Sequence, residues 1–243
     1  MVASLTLCLG CTVNAPGLLR APDARAVVTG GPDASMIFVA RTSGGTAIVI
    51  DLGWIGAEPR LRAALAAVHV APDSIAAVFL THAHRDHIGA WRLVRQRALY
   101  LAADEEPRLF GRVEYAGWIP RTAEALRRSR LPPDAGVRVH TFSRDTAFVV
   151  GGDTVRAFLV PGHTPGSTAY LLRGILFAGD ALSRVPTRGF TPARRGYSDD
   201  AARGARSLAT LWNRLAAYDV RYVCTAHARC AAYSEEFRRD ATR

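Results

Sequence analysis

The sequence predicts a mixed α/β fold. Segments of β-type pattern fall in two blocks, Met36 to Ala102 and Val137 to His227, and runs with helical apolar spacing are interleaved with both. A chain of 243 residues that is 49% hydrophobic can also bury a sizeable core as one enzyme-sized domain. The expected organisation is a leader or linker over 1–24 and a single domain over 25–243.

Along the chain, Met36 to Arg41 and Thr46 to Asp51 read as strands joined by Thr42-Ser-Gly-Gly45, a hairpin signal. Glu58 to Val68 has helical spacing after Pro59, and Ile75 to Leu80 is an apolar run of buried-strand type. A helix-like run from Ile88 to Arg97 and a short strand from Leu99 to Ala102 follow. Asp104 to Arg130 reads as helix-rich, with Phe110, Tyr115 and Trp118 as its larger apolar residues, either packing the domain or covering a site. Five strands are expected next: Val137 to Phe142, Thr146 to Val150, Thr154 to Val160, Thr168 to Leu172 and Ile175 to Ala178. Ser183 to Ser198 reads as a loop, Asp199 to Tyr218 as a helix, and Val220 to His227 as the last strand.

The chemistry is concentrated in T-H-A-H-R-D-H, Thr81 to His87, directly after the apolar run. Three imidazoles and a carboxylate in six positions suit a divalent metal of borderline N/O preference. Crowded at a strand end they would be poorly hydrated unless a cation engaged them. His82 and His84 alternate in an extended segment and share one side, whereas Asp86 and His87 fall where the chain turns. One metal could be served by the first pair and a second by the later pair. The plainer alternative is a histidine-rich polar turn.

H-x-H-x-D-H after an apolar strand resembles the signature of the metallo-β-lactamase superfamily of hydrolases. Three later segments resemble the same family. They are Phe158-Leu-Val-Pro-Gly-His163-Thr-Pro-Gly, Gly174-Ile-Leu-Phe-Ala-Gly-Asp180, and Val220-Arg-Tyr-Val-Cys-Thr-Ala-His227. The resemblance implies an αββα four-layer sandwich. It also implies that His82, His84 and His163 hold one ion, that Asp86, His87 and His227 hold the other, and that Asp180 bridges them. The ions implied are two divalent metals, Zn2+ first with Fe or Mn as alternatives, with a hydroxide between them that attacks a carbonyl. Asp86 thereby joins the catalytic centre. Tyr197, in the loop with Arg184, Arg188 and Phe190, is a candidate hydrogen-bond donor to a carbonyl or leaving oxygen, or else an ordinary loop tyrosine. Asp51, in Ile-Asp-Leu-Gly53, resembles a supporting carboxylate and is read as structural.

The expected substrate is a small ester, lactone or related acyl compound. A carboxylate at Asp180 departs from the residue usual in the antibiotic-hydrolysing branch. The sixteen residues after His227 do not accommodate the helical domain of glyoxalase II-like thioesterases, and the nucleases' inserted module has no counterpart. β-Lactams and thioesters stay open as substrates. An iron-dependent oxidoreductase of the persulfide dioxygenase type is the alternative from another class, since imidazole and carboxylate accept iron as well as zinc. A silent binding protein is disfavoured by the cost of keeping seven polar groups convergent. The net charge of +10 invites a nucleic-acid reading, but all 31 basic residues are arginine and they are scattered, so no nucleic-acid partner is expected. Nothing in the sequence bears on oligomeric state.

Val2 to Cys11, an apolar run ending in Leu-Gly-Cys, resembles a bacterial lipoprotein leader with Cys11 as the lipid-bearing residue. The expectation is therefore the cell envelope, with a lipid anchor at the membrane surface. The cytoplasm is the alternative, because no basic residue precedes Arg20. Cys224 falls in an expected strand and Cys230 just beyond His227; their spacing alone does not establish a disulfide.

Overall fold

The computed structural model describes residues 17–20, 26–30, 35–126, 130–185, 189–228 and 230–233. Cys11 and Arg188 lie outside them. The first sheet has seven strands in chain order: β1 (Gly17–Arg20), β2 (Ala26–Gly30), β3 (Ile37–Arg41), β4 (Ala47–Ile50), β5 (Ile75–Phe79), β6 (Ala98–Ala102) and β7 (Arg138–Phe142). Pairing is antiparallel as far as β4 and parallel from β4 to β7. Helix α1 (Glu58–Ala67) connects β4 to β5, and α2 (Glu106–Leu109) and α3 (Trp118–Leu126) lie between β6 and β7. β8 (Thr146–Val150), β9 (Asp153–Leu159), β10 (Thr168–Leu172) and β11 (Ile175–Phe177) begin the second sheet. A separate hairpin, β12 (Leu182–Val185) and β13 (Gly189–Pro192), then precedes α4 (Ala201–Leu215). β14 (Tyr222–Cys224) joins parallel to β11, and β15 (Ala231–Ala232) closes the edge.

Strand alternation explains the layering. In β3, Ile37 and Val39 face α1, where Leu61, Ala64 and Leu65 cover them, while Phe38 and Ala40 face the second sheet. Between the sheets Phe38 meets Phe177, and Phe79 lies 4.9 Å from Tyr100 and 5.2 Å from Tyr170. Each such ring contributes about 1.5–3 kcal/mol by burial. The outer face of the second sheet, with Phe158, Leu171, Leu176 and Val223, packs on Leu208, Leu211, Trp212 and Leu215 of α4. Asp200 caps that helix by accepting from the amide of Arg203. The result is the αββα sandwich.

Three segments differ from the sequence expectation. The helix expected over Ile88 to Arg97 is reduced to a 3-10 turn at Trp91–Val94. The amides of Gly89 and Ala90 bond across to the carbonyls of Gly53 and Leu52 instead of along a helix. This approach is so close that a Cβ at Gly89 would lie 1.9 Å from the Trp54 carbonyl oxygen. The stretch Ser183 to Ser198, expected as loop, holds the β12–β13 hairpin. β1 falls inside 1–24, expected as leader or linker, and pairs with β2.

Candidate metal centre

The site forms where chain segments leave the strands at one end of both sheets. β5 delivers Thr81 to His87, the turn after β9 delivers His163, the 3-10 turn after β11 delivers Asp180, and the turn after β14 delivers His227. Gly179 makes the Asp180 turn possible: its φ of 53° is left-handed, and a Cβ there would lie 2.5 Å from Thr81 Oγ1.

All seven sequence-predicted ligand residues are brought together. One donor atom from each of His82, His84, His163 and Asp180 lies within 4.8 Å of the others, and the same holds for Asp86, His87, Asp180 and His227. Asp180 belongs to both groups. His163 Nε2 is 3.2 Å from His82 Nε2 and 3.0 Å from His84 Nδ1. That spacing is near the roughly 3.3 Å edge of a tetrahedron with metal–nitrogen bonds of about 2.05 Å. In the second group, His227 Nε2 is 3.1 Å from Asp180 Oδ2 and 3.5 Å from Asp86 Oδ2, and His87 Nε2 is 3.6 Å from Asp180 Oδ1. Asp180 Oδ2 also stands 3.6 Å from His163 Nε2. Tyr197, by contrast, sits in the 3-10 turn Arg195–Tyr197 and is 47% exposed.

The electrostatics fit a cation. Burial, reinforced by neighbouring imidazoles, holds His82 well below the ordinary histidine value; burial does the same for His84 and, less strongly, for His163. These rings are therefore neutral and present lone pairs. Burial would raise Asp180, but His227 and His87 outweigh it and hold the carboxyl well below the usual range. Burial would likewise lower His87, yet Asp51, Asp86 and Asp180 raise it to about 9. The buried atoms His87 Nε2 and Asp180 Oδ1 have no hydrogen-bond partner, a costly state that an ion between them would relieve. The residues present thus fit the implied metals.

Several supporting residues surround the donors. Asp51, itself in left-handed backbone at φ 56°, accepts from the Thr81 amide and hydroxyl and lies 2.9 Å from His87 Nδ1, which leaves Nε2 facing the site. Two others escaped the sequence reading as site residues. The fully buried Glu105 accepts from the amides of Ala83 and Gly166, tying the first histidine loop to the His163 turn. Tyr115 donates to the Ala83 carbonyl, with its ring 4.4 Å from that of His84. Asp199 completes the wall: its carboxylate accepts from Ala116, Gly117 and Arg108, and its amide donates to the His163 carbonyl.

The sequence profile described as the Metallo-beta-lactamase superfamily matches residues 30–227. The chain belongs to that superfamily. Solved structures share the superfamily fold. A metallo-beta-lactamase from Pontibacter korlensis superposes with a TM-score of 0.64 at 18% identity, over 94% of this chain and 98% of that one. The B3 metallo-beta-lactamase BLEG-1 gives 0.61 at 24% identity, over 90% and 94%. A metallo-beta-lactamase family protein from Thermus thermophilus gives 0.60 at 23% identity, over 93% and 75%. Among curated proteins, the uncharacterized YobT of Bacillus subtilis (strain 168) is 29% identical over 115 residues, 43% of this chain and 45% of that protein. The match thus spans about half the length of that relative. Superfamily membership and the His/Asp cluster together point to divalent metal binding.

Proposed function

We propose that the protein hydrolyses small esters, lactones or related acyl compounds at a dinuclear centre. His82, His84 and His163 would hold one ion, Asp86, His87 and His227 the other, and Asp180 both. The observation that carries the reading is the position of Asp180, whose Oδ2 stands 3.6 Å from His163 and 3.1 Å from His227. Two divalent ions, Zn2+ first among the candidates, would supply an activated water and Lewis acidity toward a carbonyl oxygen. The protein's own contribution is orientation and exclusion of solvent. Asp51 and Thr81 fix the second group, Glu105 fixes the loops of the first, and Tyr115 closes one side.

The outer rim favours an apolar acyl substrate. Trp118, 62% exposed, starts α3, and the turn bearing Tyr197 packs against Trp118 and Ile119. Both lie within a few residues of groups bonded to the donor loops, Tyr115 on one side and Asp199 on the other. Exposed aromatic side chains near a polar site suit contact with the non-reacting part of a small substrate.

An envelope location is part of the proposal. Cys224 and Cys230 form a disulfide, and such bonds persist in oxidising compartments, which favours export over the cytoplasm.

The test is a panel of lactones, aryl esters, β-lactams and thioesters assayed with zinc-, manganese- and iron-loaded protein, with oxygen consumption followed alongside. Lactone or ester turnover without oxygen uptake is expected, and Asp180→Ala should lose most bound metal and at least about 100-fold in rate together. Oxygen consumption by the iron form alone would move the chain to the oxidoreductase reading.

A further inference from the structure

We infer that the Cys224–Cys230 disulfide is a positioning device for His227, making occupancy of the second metal group depend on the oxidation state of these cysteines. This rests on the dinuclear reading above. The bridge spans six positions, with Cα atoms 4.1 Å apart, and His227 sits halfway round the loop it closes.

The two legs of that loop are held unequally. On the incoming leg, the Cys224 carbonyl accepts from the Ala178 amide, the Ala226 amide donates to Gly179, and the Ala226 carbonyl accepts from Met36. The returning leg reaches the two-residue strand β15, paired with Tyr222 and Val223 at the sheet edge and followed by Tyr233, whose amide donates to Arg221; the bridge closes the leg at Cys230, three residues from His227. So short an edge strand holds its register weakly, whereas a covalent closure removes most of the alternative loop conformations. His227 also differs from the other imidazole donors. Its side chain is 38% exposed, while those of His82, His84, His87 and His163 are buried, so its position depends more than theirs on the backbone that carries it. None of His82, His84 and His163 lies on this loop; the first group meets it through Asp180, which bonds to His227. Losing the bridge should therefore weaken one group selectively.

The redox step is an ordinary exchange. A dithiol reductant delivers two electrons and two protons, the sulfur–sulfur bond breaks, Cys224 and Cys230 each take one proton, and the reductant closes to its own disulfide. Reoxidation by a disulfide donor reverses it.

The test titrates Zn2+ into the metal-depleted full-length chain, reading affinity with a competing chromophoric chelator and stoichiometry by native mass spectrometry. The oxidised chain should bind two ions. The double variant Cys224→Ser/Cys230→Ser should keep its first affinity within about twofold and lose about 10- to 100-fold in the second. His227→Ala should lose the second ion, and adding the two serine changes to it should cost nothing further. Wild-type chain reduced with a dithiol, then freed of it without air, should behave as the double variant does; this arm decides the matter if the double variant does not fold. Unchanged or tighter second-ion binding on reduction would overturn the inference, as would equal weakening of both ions, the mark of a merely structural bond. An oxidised wild type that binds one ion would instead sink the dinuclear reading, and the inference with it.

Discussion

Glu105 shows how far a single residue can act from the atoms it supports. Its two carboxylate oxygens accept from Ala83, between two donor histidines, and from Gly166, three residues past a third. Burial raises its pKa, which marks the cost of keeping a carboxyl there. Glu105→Ala leaves two buried amides unpaired and opens a cavity, and should destabilise the protein by about 2–4 kcal/mol. Metal affinity should fall at least about 10-fold with it. Denaturant unfolding and a zinc titration of the variant check both; unchanged affinity in a destabilised protein would reduce Glu105 to a packing residue. Nothing in the sequence pointed to it, because Asp104-Glu-Glu-Pro reads as acidic residues opening a helix, a role any surface helix can use. The seven clustered residues were legible, since each stands at a strand end in a short motif of distinctive composition. Asp51 was legible for the same reason. The Cys224–Cys230 bond was not, because its geometry depends on β15 returning beside β14, and a two-residue strand leaves no periodic signal.

At the scale of elements, the strands were read more accurately than the connections. β3 to β11 fall within a residue or two of the expected segments because alternation or unbroken apolarity reports burial directly. The run from Ile88 had helical spacing but lost its helix to hydrogen bonds with residues 52 and 53, a tertiary override that no local pattern encodes. The β12–β13 hairpin was hidden by its glycine, prolines and arginines, which read as loop. The element most exposed to a functional test is α3. Trp118→Ala should raise KM about 10-fold for substrates with an apolar acyl chain while leaving kcat nearly unchanged, because the lost contact is equal in ground and transition states. Steady-state kinetics on a chain-length series would show it; a fall in kcat with KM unchanged would place Trp118 in the chemistry instead.

The titration behaviour of the whole molecule follows from the same cluster. In the ion-free protein His87 is raised to about 9, so its charged form contributes stability that is fully present below the ordinary histidine value of about 6.5 and is lost as pH rises through 9. His82, His84 and His163 are lowered, so below about 6.5 the unfolded chain takes up protons that the folded one refuses, and stability falls with falling pH. The ion-free protein should therefore be most heat-stable near pH 6.5, with Tm falling on both sides. Loading with zinc should remove the alkaline decline, since the metal takes the place of the His87 proton. Thermal scans of chelator-treated and zinc-loaded protein between pH 5 and 9.5 check this; parallel curves would show that the cluster does not govern stability.

The proposed convergence of seven side chains from a two-sheet scaffold on a pair of ions is tested most directly by anomalous X-ray scattering at the zinc edge from a crystal of the loaded protein. Two peaks about 3.5–4 Å apart, one within bonding distance of His82, His84 and His163, the other of Asp86, His87 and His227, with Asp180 between, are the predicted result. A single peak, or peaks away from Asp180, would contradict it.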